Sequence, residues 1–389
     1  MKKLLSVILL ICLCAACAAC GKNEPAPVNS DASSEASAPA SSGQQTDDGG
    51  AKAVSIDLRA KAGAEDVREI FDYGDGFVGV ILKKTVDGEI KTYLRFIDTN
   101  SGWLADGEYE LGGSDYTTYI NRGDEFYICF DSGAVSVSGD PRASVKVQPS
   151  DYKFSYDRDD NLLYSPDGKW YAAREDNEPE KIGDATLVNV ETGERITPYS
   201  GVRNDDDHSL EDVTASAPAG FAGDKFIFNI YGYEWFFGYG IYDLSTGATQ
   251  LFDGQYDLGV FPAANHKTDR IPYYINHEEI GYIELADPGV RKPLFSKNTA
   301  VEGNEAFSEV LGDSIYFYCD SVADGKYLGV IAEIENNRTR FAAYDFETFE
   351  KVYEYECDDY PNAHVFSGNA AVFLFESVDA STVTVITLP

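Results

Sequence analysis

Long helical periods are missing from this sequence: residues 62–70 offer two turns at most, and no other stretch repeats its apolar residues at helical spacing. That excludes a helical bundle. No apolar run reaches the roughly 20 residues a membrane-spanning helix needs. The three cysteines outside the N-terminal region, Cys129, Cys319 and Cys357, show no CxxC or CxxxC spacing, which removes the usual basis for zinc or cluster ligation. They are expected as buried free thiols, or as one Cys319–Cys357 pair if their strands are adjacent. There is no GxSxG nucleophile elbow and no HExxH pair. Basic residues are scarce, and the formal charge of −35 makes nucleic acid an unlikely partner, because such a chain repels phosphate backbones.

Aromatics and glycine are abundant, with 26 Tyr, 22 Phe and 35 Gly against a single Met. Most of the aromatics fall in short apolar runs bounded by Gly, Asp and Asn, the pattern of strands joined by tight turns. The expected fold class is all-β.

The first twenty residues read as an export signal. Lys2 and Lys3 supply a charged start, Leu4 to Leu13 an apolar run, and small residues precede Cys20. The sequence Cys17-Ala18-Ala19-Cys20-Gly21 resembles the lipobox of bacterial lipoproteins, in which the last cysteine receives diacylglycerol. The resemblance implies a signal peptide over 1–19 and lipidation at Cys20, with a lipid anchor in the bacterial cell membrane and the domain outside the cytoplasm. Cys17 stands where that motif usually has Leu, and is itself an alternative acceptor. Residues 21–51 hold no aromatic residue and only Val28 as a branched aliphatic, so they cannot bury enough apolar surface to offset the entropy of ordering. The stretch 20–52 is therefore expected to be anchor and disordered tether, reaching roughly 30 Å on average, and 53–389 the folded domain.

Within that domain an Asx-type turn recurs between apolar runs: Gly74-Asp75, Gly123-Asp124, Asp167-Gly168, Gly223-Asp224, Thr268-Asp269, Gly312-Asp313 and Gly368-Asn369. Asp and Asn accept from backbone amides two residues on, and Gly supplies positive φ. The copies lie 43 to 57 residues apart, the length of a four-stranded propeller blade. A second turn follows later in most units, in 96–102, 188–194, 242–248 and 344–350, with a looser copy at 282–290. Tyr164-Ser165-Pro166-Asp167-Gly168-Lys169-Trp170 and the later hairpin 188–194 resemble the repeat of TolB-type propellers and of the propeller domain of dipeptidyl peptidases. With no nucleophile elbow present, the resemblance implies a fold and no peptidase activity.

Seven turns predict seven blades. The segment after Asn369 holds two strands, 371–376 and 382–388, and is one strand short. The segment before Asp75 has one too many, since 67–73 serves the first blade and leaves Val54–Arg59 over. The surplus strand is expected to complete the last blade and close the ring, which removes an exposed sheet edge.

In such a blade the first-to-second and third-to-fourth turns share one face. The second-to-third loops and the links between blades share the other. Extra length is expected on the latter, in 174–184, 200–218 and 320–338, and variable length confined to one face marks a functional face. There the run Tyr231 to Tyr239 offers Tyr231, Tyr233, Glu234 and Trp235 as a ligand-binding hairpin tip, or as packing against a neighbouring blade. Asp205, Asp206 and Asp207 offer oxygen ligands for Ca²⁺, or form a solvated acidic loop. Asp157–Asn161 opens like a calcium loop, but Leu162 stands where glycine is required. His266 and His364 fall near innermost strands and are candidates for the channel wall. Two functions are expected from these features: a noncatalytic binding or scaffolding module for a protein, peptide or glycan, or an extracytoplasmic hydrolase or lyase with a metal or carboxylate site at the channel. Three or more converging His, Asp or Glu side chains separate the second from the first.

Overall fold

A computed structural model describes residues 52–389 apart from 113–114, 122–125, 153–162, 176–183, 202–214, 233–235, 254–256, 259–268, 276–277, 300, 302–304, 323–324, 336–337 and 377–379. The described strands form seven four-stranded antiparallel sheets. Six sheets take their strands in chain order, beginning at Asp66–Gly74, Tyr116–Asn121, Leu163–Tyr164, Ala215–Ala222, Asp257–Leu258 and Tyr316–Val322. The seventh combines Ala363–Ser367, Ala370–Glu376 and Ser381–Thr387 with Lys52–Asp57 from the other end of the chain. That strand runs antiparallel to Ser381–Thr387 with Val54 opposite Val385. The protein is a seven-bladed β-propeller closed by its N-terminal strand.

Packing follows from blade geometry. The second and third strands of a blade have neighbours on both faces, so they read as nearly continuous apolar runs, as in Phe77–Leu82, Phe226–Phe228 and Tyr327–Ala332, all buried. The outermost strand has one open side and alternates instead, as Trp103–Gly112 does. Clusters of buried side chains join consecutive blades: Phe71 and Phe96 meet Phe126 and Ile128 between blades 1 and 2, and Phe317 and Val330 meet Ile280 and Leu294 between blades 5 and 6. The ring closes on Ile56, Leu58, Val67 and Ile70 packed with Val372, Leu374, Val383 and Val385. The Thr387 hydroxyl adds a 2.7 Å bond to the Thr99 carbonyl, and the Ser367 hydroxyl a 3.2 Å bond to that of Phe77, both from blade 7 to blade 1.

Several expectations need correction. Residues 62–70 hold only the end of a helical turn, Leu58–Ala62, which stops at Gly63 (φ 65) before the first inner strand begins. Gly312-Asp313 is not the turn inside blade 6. It follows the helix Glu305–Leu311, which lies in the link between blades 5 and 6, and the Gly312 amide donates to Ser308 O as a helix end does. The turn inside blade 6 runs between Val322 and Tyr327. It follows that 320–338 is not an inserted loop: Tyr316–Val322 and Tyr327–Ile334 are the first two strands of that blade, and the extra length sits at 297–315. Ile315, which follows Gly312-Asp313, precedes the first strand of blade 6 and is exposed. Likewise Pro218 belongs to the inner strand Ala215–Ala222, so the long link before it ends at 214.

The cysteines Cys129, Cys319 and Cys357 are buried free thiols. Cys319 lies on the innermost strand of blade 6 and Cys357 on its outermost, opposite edges of one sheet.

Candidate functional site

The two faces of the ring are built differently. On one, the third-to-fourth turns of blades 3, 4 and 6 repeat a single hydrogen-bond formula. Asn189 Oδ1 accepts from the amides of Glu191 and Thr192, Asp243 Oδ1 from those of Ser245 and Thr246, and Asp345 Oδ1 from those of Glu347 and Thr348. The residue four positions on then returns its amide to the carbonyl of that Asx, from Gly193, Gly247 and Phe349. That residue adopts positive φ each time (71°, 73° and 59°). Phe349 takes the left-handed position without being glycine because its ring is held between blades, against Tyr282 at 5.3 Å and under the Arg270 guanidinium. The Asx side chains of these turns serve the turns themselves.

The opposite face carries the links and second-to-third loops. In blade 3 that loop joins Trp170–Glu175 to Asp184–Asn189, as expected from the insertion at 174–184. In blade 4, Tyr231 ends the second strand opposite Phe236, is half-buried, and so stands at the base of the hairpin. Tyr233, Glu234 and Trp235 lie outside the described residues. Further along, the run divides: Phe237 is exposed, whereas Tyr239 is fully buried, stacks on Phe252 with centroids 4.9 Å apart, and donates to the Pro288 carbonyl. Packing between blades 4 and 5 therefore accounts for Tyr239. Cys17, Cys20, Asp205, Asp206, Asp207 and His266 also lie outside the described residues.

His364 belongs to an inner strand. It is the second residue of the innermost strand of blade 7, near the end of that strand facing the links. Its ring lies 5.1 Å from that of Tyr318, on the innermost strand of blade 6, and the Tyr318 hydroxyl stands 2.9 Å from Nδ1 and 3.2 Å from Nε2. Part of the side chain meets solvent, yet protein surrounds much of the ring, with Phe366 and Phe373 against it. Burial pushes its pKa down to about 4. A folded pKa below the ordinary His value means that stability from this group is fully present above about 6.5 and is lost as pH falls from there towards 4. In an NMR titration His364 is expected to give a midpoint near 4. A midpoint above 6 would show that water, not the surrounding protein, sets its environment.

On the inner strands of blades 1 and 2 lie groups the sequence reading did not single out. Glu69 lies on the first inner strand, and burial raises its carboxyl while the neighbouring Tyr116 hydroxyl pulls it back. That hydroxyl sits beside the carboxyl but outside the geometry of a direct bond. Tyr119, stacked on Phe71 at 4.6 Å, is pushed up to about 12 by burial, with Glu69 and Asp72 acting in the same direction. Glu69 is within reach of the sequence, since 67–73 precedes the first Asx turn and reads as an inner strand. Tyr318 is not, because the misplaced turn at Gly312-Asp313 moves it off the inner strand. Among the described residues no three His, Cys, Asp or Glu side chains gather as a metal-binding group, and no helix is long and apolar enough to cross a membrane.

No protein-family model and no curated protein matches this chain. Solved structures do. The acylaminoacyl peptidase of Pyrococcus horikoshii is 10% identical, with 82% of this chain and 51% of that one covered and a TM-score of 0.45. A prolyl endopeptidase matches at 11% identity over 84% of this chain and 50% of its own, with a TM-score of 0.48. A putative TolB from Agrobacterium tumefaciens matches at 12% identity over 73% and 94%, with a TM-score of 0.39. The likeness is one of fold. This propeller is similar to the TolB-like and peptidase propellers, and the chain spans about half the length of the two peptidases.

Proposed function

We propose that the propeller is a noncatalytic binding or scaffolding module, carried outside the cytoplasm on a lipid attached to Cys20, and that it presents its link face to a protein, peptide or glycan. The observation that carries this reading is the contrast between the faces. One repeats, in three blades, a turn formula in which the Asx side chain is spent on the turn. The other holds the long connections 197–214 and 297–315, the helix Glu305–Leu311 and the hairpin that begins at Tyr231. Loops of unequal length on a rigid ring let one scaffold present a particular surface.

The tip residues are tested directly. Trp235→Ala is expected to weaken binding by on the order of 2 kcal/mol, as loss of an aromatic anchor does, while the melting temperature stays nearly unchanged. If truncation instead destabilises the fold by roughly 3–5 kcal/mol, Trp235 is packing and the hairpin is not the anchor.

Anchoring is tested by metabolic labelling with a fatty acid. Cys20→Ser is expected to lose both the label and membrane association. Retained label would assign the lipid to Cys17, and lost label with retained association would refute the anchor.

The hydrolase or lyase reading keeps one observation in its favour, a raised carboxyl (Glu69) and a lowered imidazole (His364) on inner strands of one ring. Turnover of a lactone or glycoside, abolished by His364→Ala or by His266→Ala, would establish it.

A further inference from the structure

A hydrogen-bonded pair of polar rings, Tyr318 and His364, lies where blades 6 and 7 meet the link face, with two further tyrosines in its neighbourhood. Tyr318 and His364 come from the inner strands of blades 6 and 7, in hydrogen-bond contact with each other. Tyr274 is the penultimate residue of the second strand of blade 5, and Tyr360 lies in the link between blades 6 and 7. Both are close enough for their hydroxyls to bear on the ionisation of Tyr318. The spot is structurally fixed from beneath: Cys319, next to Tyr318, donates its thiol to the Tyr273 carbonyl of blade 5, and both residues are buried. It is also open above, since Tyr360 is 45% exposed.

The chemistry of these groups is narrow. A phenol hydroxyl donates and accepts, and so does a neutral imidazole. Sugar hydroxyls have the same double capacity, and the apolar faces of sugar rings pack on aromatic faces. The charged groups that bear on Tyr318 and Tyr360 are Asp320 and Glu333, both carboxylates. Carboxylates accept from sugar hydroxyls and repel anions. Asp320 and Glu333 therefore disfavour a phosphate, a sulfate or a uronic acid at this spot.

We propose that the channel mouth at Tyr274, Tyr318, Tyr360 and His364 is a binding site for a neutral glycan. It rests on the reading of the link face as the binding face, and narrows the ligand to one class.

Calorimetry of the intact, detergent-solubilised chain tests it, using neutral cello-, xylo-, malto- and chito-hexasaccharides with a tetralysine peptide as the cationic comparison. Saturable binding of at least one hexasaccharide is expected. Tyr360→Ala, which removes an exposed ring, and Tyr318→Phe, which removes one hydroxyl, are each expected to weaken it by on the order of tenfold with an unchanged melting curve. The site is overturned if no hexasaccharide binds, if tetralysine alone binds, or if both variants bind sugar as the parent does. Should Trp235→Ala abolish binding while both mouth variants leave it intact, the link face stands and the mouth site falls. Should all three variants bind alike, both fall.

Discussion

Deleting residues 53–60 is expected to unfold the domain or lower its melting temperature severely, whereas deleting 21–50 is expected to leave the melting curve unchanged. The first deletion removes most of the strand paired along Ser381–Thr387, and with it Ile56 and Leu58, which are 7% and 0% exposed in the core between blades 7 and 1. Truncating a single buried aliphatic of this kind costs about 2–5 kcal/mol. Losing two, together with a ladder of backbone bonds, approaches the 5–15 kcal/mol that typically separates a folded domain from its unfolded chain. It also turns Ser381–Thr387 into an open edge, which favours aggregation. Circular dichroism melts of both deletions decide the matter. An unchanged melt for the 53–60 deletion would show that the ring holds without its closing strand.

The second large effect is expected at Gly240. Three blades share one arrangement, an aromatic ring lying over the glycine opposite it on the next strand: Phe71 over Gly79, Phe228 over Gly240 and Tyr273 over Gly281. A methyl group at Gly240 would fall inside the Phe228 ring, and Phe228 is fully buried among Phe226, Leu187 and Ala185 with no room to turn away. Gly240→Ala is therefore expected to cost about 2–3 kcal/mol by overpacking. The cause is checked by combining it with Phe228→Leu, which vacates the space. Urea unfolding of the double variant is expected to show less destabilisation than the two single effects added together. Wild-type stability in Gly240→Ala would mean that the ring is not confined.

How far the sequence reached depended on whether local chemistry was unique to one structure. The surplus strand before Asp75 and the deficit after Asn369 predicted the ring closure, because a blade of three strands leaves an edge no compact ring tolerates. The third-to-fourth turns were legible because Asx acceptance and a left-handed residue four positions on are local requirements, and even Phe349 kept the geometry. Gly312-Asp313 misled for the same reason. A glycine that ends a helix and a glycine in a hairpin answer the same need, and a seven-residue helix is too short to announce itself. Phe307, Val310 and Leu311, all buried on one face of it, carried the only signal. One misplaced turn then shifted an inner strand, turned two strands of blade 6 into an apparent loop, and hid Tyr318 from view. The pair of Tyr318 with His364 joins residues 46 apart on different blades, a contact that exists only after the ring has formed.

The central claim is that the link face binds and the turn face only holds the ring together. Site-specific photocrosslinking in living cells tests it in one measurement. A benzophenone amino acid replaces Tyr231, Phe237 or Tyr360 on the link side, and Glu191, Thr246 or Glu347 in the repeated turns. Mobility-shifted adducts from the link-side positions, with none from the turns, are the predicted result. Adducts from the turn positions, with the link positions silent, would contradict it.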